Sequence, residues 1–284
     1  MKKRNLAFMA MILPSFAGIL VFYCIPFFLS FSYTIVNNMA EKRFVGLTNF
    51  KAMLTDGLFR QAAGNMLRFM ALSIPLSMAL AFLIALGLQK LERGRALASV
   101  LLLFPIVVPS GTVVYFWKIL FDINGLVNKF LSRRGLDMKN LSDGGYAMAV
   151  IVLLFLWKNV SYNIVLFWSG LNWIPRVYYE QYELECSSGF RKFRDITWIY
   201  LSPTTLVVLL MSIVNSFRVF KEIYQLCGAY PTPGIYMLQH YMNNQFSSMN
   251  LQKLCTAAYL IFLAVSVLLL IVFFLQKKVT DTFS

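Results

Sequence analysis

The side chains able to do chemistry are few and lie in unexpected company. An apolar run at 147–170 is interrupted by Lys158, Asn159, Ser161, Tyr162 and Asn163, and a second run at 200–220 closes on Asn215, Ser216 and Arg218. Asn carries both donors and an acceptor, and the Ser and Tyr hydroxyls serve as either. Tyr115, Trp117, Tyr162 and Trp168 add flat apolar faces. In lipid such groups turn toward a bundle interior or a watery cavity. This is chemistry for holding a solute, not for breaking a bond. The same residue types have a structural use: Asn and Ser tie helices together, and Tyr and Trp mark the membrane interface. For Lys158 and Arg218 the alternative to a place in the pathway is to snorkel to an interface.

Reaction chemistry finds no foothold. There is no G-x-x-x-x-G-K-[ST] phosphate loop, no H-E-x-x-H, no G-x-S-x-G and no Cys/His cluster. The chain therefore reads as no enzyme, with no catalytic residue and no metal. Cys24, Cys186, Cys227 and Cys255 lack metal-ligand spacing and imply no disulfide framework. The single His240 falls in a polar connection and reads as a surface histidine.

The elements that must position these groups are membrane spans. Of the residues 59% are hydrophobic and only 13% charged, about half the charge of a soluble domain. The net charge of +14 follows from basic residues flanking spans, where they face cytoplasm and anionic lipid. No long basic run or aromatic-basic module points to nucleic acid. Six spans are expected, at about 7–35, 66–88, 96–121, 147–170, 200–220 and 254–275, each long enough for a hydrocarbon core of about 30 Å. The N-terminal Lys2-Lys3-Arg4 and apolar run resemble a secretory signal, but the run continues to about Val36. It reads as an uncleaved first span, kinked at Pro14 and Pro26. Pro105, Pro109 and Gly111 interrupt the third span, a pattern tolerated where backbone lines a cavity or is buried in protein. Phe50, Met53 and Leu54 suggest a short surface helix before the second span. Short basic segments place both termini in the cytoplasm. The fold class is all-α, one polytopic domain over 1–284.

One polar stretch is hard to explain as a loose connection. Residues 171–203 read LNWIPRVYYEQYELECSSGFRKFRDITWIYLSP. Pro175 can open a helix, Gly189 can close it in a left-handed turn, and Glu180, Glu183 and Glu185 lie on its surface, with Arg191 beyond the glycine. A short acidic helix between two spans is a good docking element.

Here the chain resembles a known family. Leu171, Ile174-Pro175, Tyr179-Glu180, Gly189, Phe193, Ile196-Thr197 and Pro203 resemble the EAA loop of permease subunits in bacterial ABC importers. The resemblance is to the sugar branch, of the maltose, lactose and glycerol-phosphate type. Gly46, Leu47, Asn49 and Asn65 resemble that branch's approach to the second span. The loop departs from the family pattern at Gln181 and Tyr182, at Cys186 and at Ile199.

The resemblance implies an ATP-driven, binding-protein-dependent importer of sugars or oligosaccharides in a bacterial inner membrane. Its partners would be a second related permease, two ATPase subunits that carry the ATP and Mg, an external solute-binding protein and membrane lipid. No cofactor would belong to this chain. The 171–199 loop, with Glu180, Glu183, Glu185, Gly189 and Arg191, would couple to the ATPase. Tyr115, Asn159, Ser161, Tyr162, Asn163 and Asn215 would line the solute pathway. Two other classes stay open: a permease for a non-sugar solute, and a stand-alone channel or secondary transporter. The latter calls for charges deep in several spans, and the sequence shows few.

Overall fold

The computed structural model describes residues 2–37, 41–91, 93–135, 141, 143–185 and 188–283. The helices are α1 (Lys2–Ile19), α2 (Ile25–Thr34), α3 (Thr48–Thr55), α4 (Gly57–Lys90), α5 (Arg95–Val107), α6 (Ser110–Phe121), α7 (Leu126–Arg133), α8 (Gly144–Asn172), α9 (Arg176–Glu185), α10 (Gly189–Lys192), α11 (Trp198–Arg218), α12 (Phe220–Cys227), α13 (Leu238–Ser247) and α14 (Leu251–Phe283). Among the described residues five helices are long and apolar enough to cross a membrane, or six when one bent pair is counted as a single span.

The chain forms two compact units. The larger contains residues 61–240 and the end of α14. Its core joins α4, α8 and α11 through Ala81, Ala85, Ile164, Phe167, Leu201 and Val208, with Ala98 and Leu102 of α5 packed against it. Lipid is as apolar as leucine, so such helices associate through close packing and hydrogen bonds instead of a hydrophobic drive. Small residues provide the closeness. A Cβ on Gly170 of α8 would lie 2.5 Å from Thr204 Oγ1 of α11, so no larger residue fits this crossing. Asn163 supplies the hydrogen bonds: its Nδ2 donates to Ser77 Oγ of α4 at 3.3 Å and to Ser212 Oγ of α11 at 3.2 Å. Each such tie in a membrane bundle contributes about 0.6 kcal/mol.

The connection after α12 is equally tight. Asn65 Nδ2 donates to the carbonyls of Pro233 and Tyr236, and Gln61 Nε2 also donates to that of Pro233. Gly234 passes so near Gly144 that an added Cβ would stand 2.6 Å from its Cα. The polar Tyr230–Gly234 turn is therefore a fixed feature, entered through Gly228 at φ 80°.

The smaller unit contains residues 1–60 and 241–265. Its first long helix is wound as an α–π–α run: the π turn Leu20–Cys24 sits just before Pro26, and Ile25 N–H reaches back to the Leu20 carbonyl. Pro26 has no N–H to donate, so a wider turn there accommodates its ring. Phe22, Tyr23 and Phe28 stand exposed, as side chains facing lipid do. Asn49 Nδ2 donates to the carbonyls of Thr34 and Val36, and Gln252 Nε2 binds Val36 and Asn49. The asparagine thus secures the end of α2, and the Gly46 before it adopts φ 57°.

Several expected boundaries move. The second long helix begins at Gly57, not near 66, because Asp56 accepts from the Phe59 N–H and starts it early. The third predicted span breaks at Val108-Pro109, with α5 and the segment from Gly111 bent by 96°. Pro109 cannot donate to the ladder, and its predecessor is pushed to extended backbone. The fifth long helix runs from Gly189 through the π turn Phe193–Thr197 into α11, so the basic residues Arg191, Lys192 and Arg194 are helical.

Candidate functional site

Two sites emerge from these elements. The first is a cavity of about 560 Å³ within the larger unit. It opens where α5 breaks, and its walls come from α8, α11 and α12. Apolar sides are given by Pro105, Val108, Leu154, Met211 and Phe217, and polar ones by Lys158, Asn159, Tyr162, Asn215, Arg218 and Glu222.

Of the six residues predicted for the pathway, Asn159, Tyr162 and Asn215 come together here. The other three do not. Asn163 is 1% exposed, clamped between α4 and α11. Ser161 is buried away from the cavity wall, and Tyr115 stands exposed on α6. The reason is angular. Residues 158, 159 and 162 share one face of α8, while 161 and 163 fall to either side. Trp117, also read as a ring platform, is buried and stacks on Phe121 at 5.1 Å between ring centres.

Lys158 does not snorkel. Its Nζ lies 2.5 Å from Glu222 Oε1, and the Glu222 side chain is nearly buried. Glu222 stands in the first turn of α12, where the helix dipole favours a carboxylate. Sequence reasoning left it in a polar connection. The signal was present: Glu222 is the only acid between Asp195 and Asp281, and Lys158 the only base between Lys139 and Arg176. A lone base and a lone acid in apolar surroundings answer one another, since an unpaired charge there is costly. Arg218 Nη1 donates to Asn215 Oδ1 at a long 3.5 Å.

His240 is not a surface residue. It is fully buried, its Nδ1 accepts from the Met237 N–H at 3.3 Å, and its ring meets Phe220 edge-on at 4.7 Å. Burial pushes its pKa down from 6.5 to about 4.

The second site is α9 with the start of the fifth long helix. Tyr179 Oη pairs with Thr197 Oγ1 at 3.0 Å, Tyr182 Oη donates to Asp195 Oδ2 at 2.6 Å, and Lys192 Nζ meets Glu183 Oε1 at 2.5 Å. The Tyr178 and Tyr200 rings stack at 5.1 Å. Glu180 is exposed on a neighbouring part of the helix surface and has no ion pair among the described residues. Glu185 ends α9, and Arg191 is exposed on α10. Pro175 precedes the first helical residue, and Tyr178 N–H reaches its carbonyl at 3.2 Å. Gly189 does not close α9 in a left-handed turn. It opens α10 behind an extended Ser188, because the chain re-enters helix there. Cys186 lies outside the described residues.

The departure at Tyr182 has a use: its hydroxyl reaches Asp195, which a small residue cannot do.

The chain is 31% identical over 245 residues to the sn-glycerol-3-phosphate transport system permease protein UgpA of Agrobacterium fabrum, covering 84% of this chain and 83% of that one. It is 31% identical over 226 residues to the trehalose/maltose transport system permease protein MalF of Thermococcus litoralis, covering 78% and 77%. Its fold matches a chain of a bacterial ABC transporter involved in the import of the acidic polysaccharide alginate, with a TM-score of 0.82 at 20% identity, covering 98% and 97%. Residues 77–282 match the family described as binding-protein-dependent transport system inner membrane component. The chain is a member of that family of transport permeases.

Proposed function

We propose that this chain is one of the two membrane-spanning subunits of an ATP-driven importer of sugars or oligosaccharides. The observation that carries the reading is the cavity of Asn159, Tyr162 and Asn215 beside a broken helix, in a chain whose relatives carry glycerol-phosphate and trehalose/maltose permease names. Asn and Tyr side chains offer paired donors and acceptors to hydroxyls, and an aromatic ring faces the solute. A second related permease completes the pathway.

Hydrolysis belongs to two separate ATPase subunits, which bind the ATP and Mg; this chain supplies no cofactor. An external solute-binding protein delivers the solute. Both termini lie in the cytoplasm of a bacterial cell, as does α9. That helix docks on the ATPase through Glu180, with Arg191 nearby, and moves with α11 as a rigid body when the ATPases close.

The test is reconstitution of the chain with its neighbouring permease, ATPase and solute-binding protein in vesicles. Uptake of labelled malto-oligosaccharides and glycerol 3-phosphate is expected only with ATP and the binding protein both present. Uptake by this chain alone, without ATP, contradicts the reading.

A further inference from the structure

The charge around the cavity is one-sided. Three bases, Lys158, Arg218 and Lys221, line it against the single carboxylate of Glu222. Glu222 compensates Lys158 through one oxygen, while Arg218 and Lys221 are exposed toward solvent on the adjoining turn. A cation within a membrane protein carries an energetic cost, and its presence marks a pathway or a bound ion. Low-dielectric walls, here Pro105, Val108 and Met211, focus the field of such charges into the space between them.

We propose that the cavity selects hydroxylated solutes bearing an oxyanion, such as a saccharide acid or a sugar phosphate. This rests on reading the cavity as the solute pathway. Arg218 offers a planar fork to a carboxylate or phosphate, and Lys221 a second positive donor. Lys158, paired with Glu222, carries the polar lining to the middle of the 29-residue α8, a depth that lipid headgroups do not reach. The second carboxylate oxygen of Glu222 is buried with no hydrogen-bond partner among the described residues. The solute's hydroxyls meet Asn159, Tyr162 and Asn215, while its anionic group goes to the bases. A neutral saccharide uses the hydroxyl contacts but leaves the positive lining unanswered.

The test measures solute binding to the purified complex of both permeases and both ATPases in nanodiscs of neutral lipid. The probes are trigalacturonate, its trimethyl ester, glucose 6-phosphate and glucose. An acid is expected to bind about tenfold tighter than its neutral counterpart, with the gap narrowing as salt rises. Binding of one acid alone identifies carboxylate or phosphate as the preferred oxyanion. Arg218→Gln with Lys221→Gln should close the gap, with assembly checked by gel filtration. Equal or tighter binding of the neutral probes overturns the proposal, as does a preference that survives the double substitution. A preference erased by adding phosphatidylglycerol to the nanodiscs assigns the bases to lipid and also overturns it. ATP-driven uptake separates the two readings: uptake without charge preference leaves the sugar importer standing and removes the anion selectivity, whereas binding of no probe together with no uptake removes both.

Discussion

Asn163 and Lys158 show how a single side chain's role turns on its angle around a helix. Both were visible in the sequence as polar residues in an apolar run. The sequence does not say which face of α8 meets a neighbour, because no stripe of polarity marks it. Packing decides: Asn163 meets Ser77 and Ser212, and Lys158 meets Glu222, 64 positions away in sequence. His240 was misread for a related reason. A histidine in a polar connection reads as solvated, yet the connection is folded onto Phe220 and Tyr236. Its burial has a measurable consequence. The unfolded chain takes up a proton on this imidazole near pH 6.5, and the folded chain only near 4. Between these values the unfolded state binds more protons, so stability is full above pH 6.5 and falls as pH is lowered toward 4. Its slope approaches about 1.4 kcal/mol per pH unit within that window. Thermal unfolding of the protein in detergent at pH 7.5 and 5 is expected to show the loss, and His240→Gln to flatten it. A slope unchanged in the variant assigns the dependence to other groups.

At the scale of elements, the apolar runs and prolines were legible. The long helices fall on the predicted runs, and the Pro105–Gly111 cluster marks the α5–α6 break. What the sequence hid were the continuations: α4 begins earlier than its apolar run, and the fifth long helix begins at Gly189 inside a charged stretch. Composition signals where lipid begins, while a helix in water or against protein continues past that point. The continuation matters for α9. Three side-chain contacts, from Tyr179, Tyr182 and Glu183, fasten it to the residues leading into α11, so a force on α9 passes to α11 without slack. Glu180 is left facing outward. Glu180→Lys is expected to weaken ATPase association at least about tenfold, or to leave hydrolysis without uptake, because reversing a charge at an interface strands its partner. Glu183→Lys breaks only the exposed pair with Lys192, worth up to about 1 kcal/mol, and should leave uptake near the wild-type rate. Hydrolysis and uptake measured in one reconstituted complex separate these outcomes; wild-type behaviour of Glu180→Lys moves the docking contact elsewhere on α9 or α10.

At the scale of the molecule, topology and pathway stand or fall together. If α9 meets an ATPase, Ser188 lies on the cytoplasmic side and Tyr230, 77% exposed, on the outer side. In a background with the native cysteines replaced by serine, Tyr230→Cys is expected to react with an impermeant maleimide in intact cells, and Ser188→Cys only after permeabilisation. The reverse pattern inverts the chain.

The pathway itself has the most direct test. Asn159 lines the cavity, with its Nδ2 donating to the Phe155 carbonyl at 3.0 Å. In the same cysteine-free background, Asn159→Cys in the reconstituted complex can be modified with a bulky thiosulfonate before uptake is measured with the saccharide its binding protein carries. Uptake is expected before modification and its loss afterward, with ATPase assembly intact and with bound solute slowing the modification. Full uptake through a complex whose Asn159→Cys is completely modified would contradict this pathway, since the solute would then pass by another route.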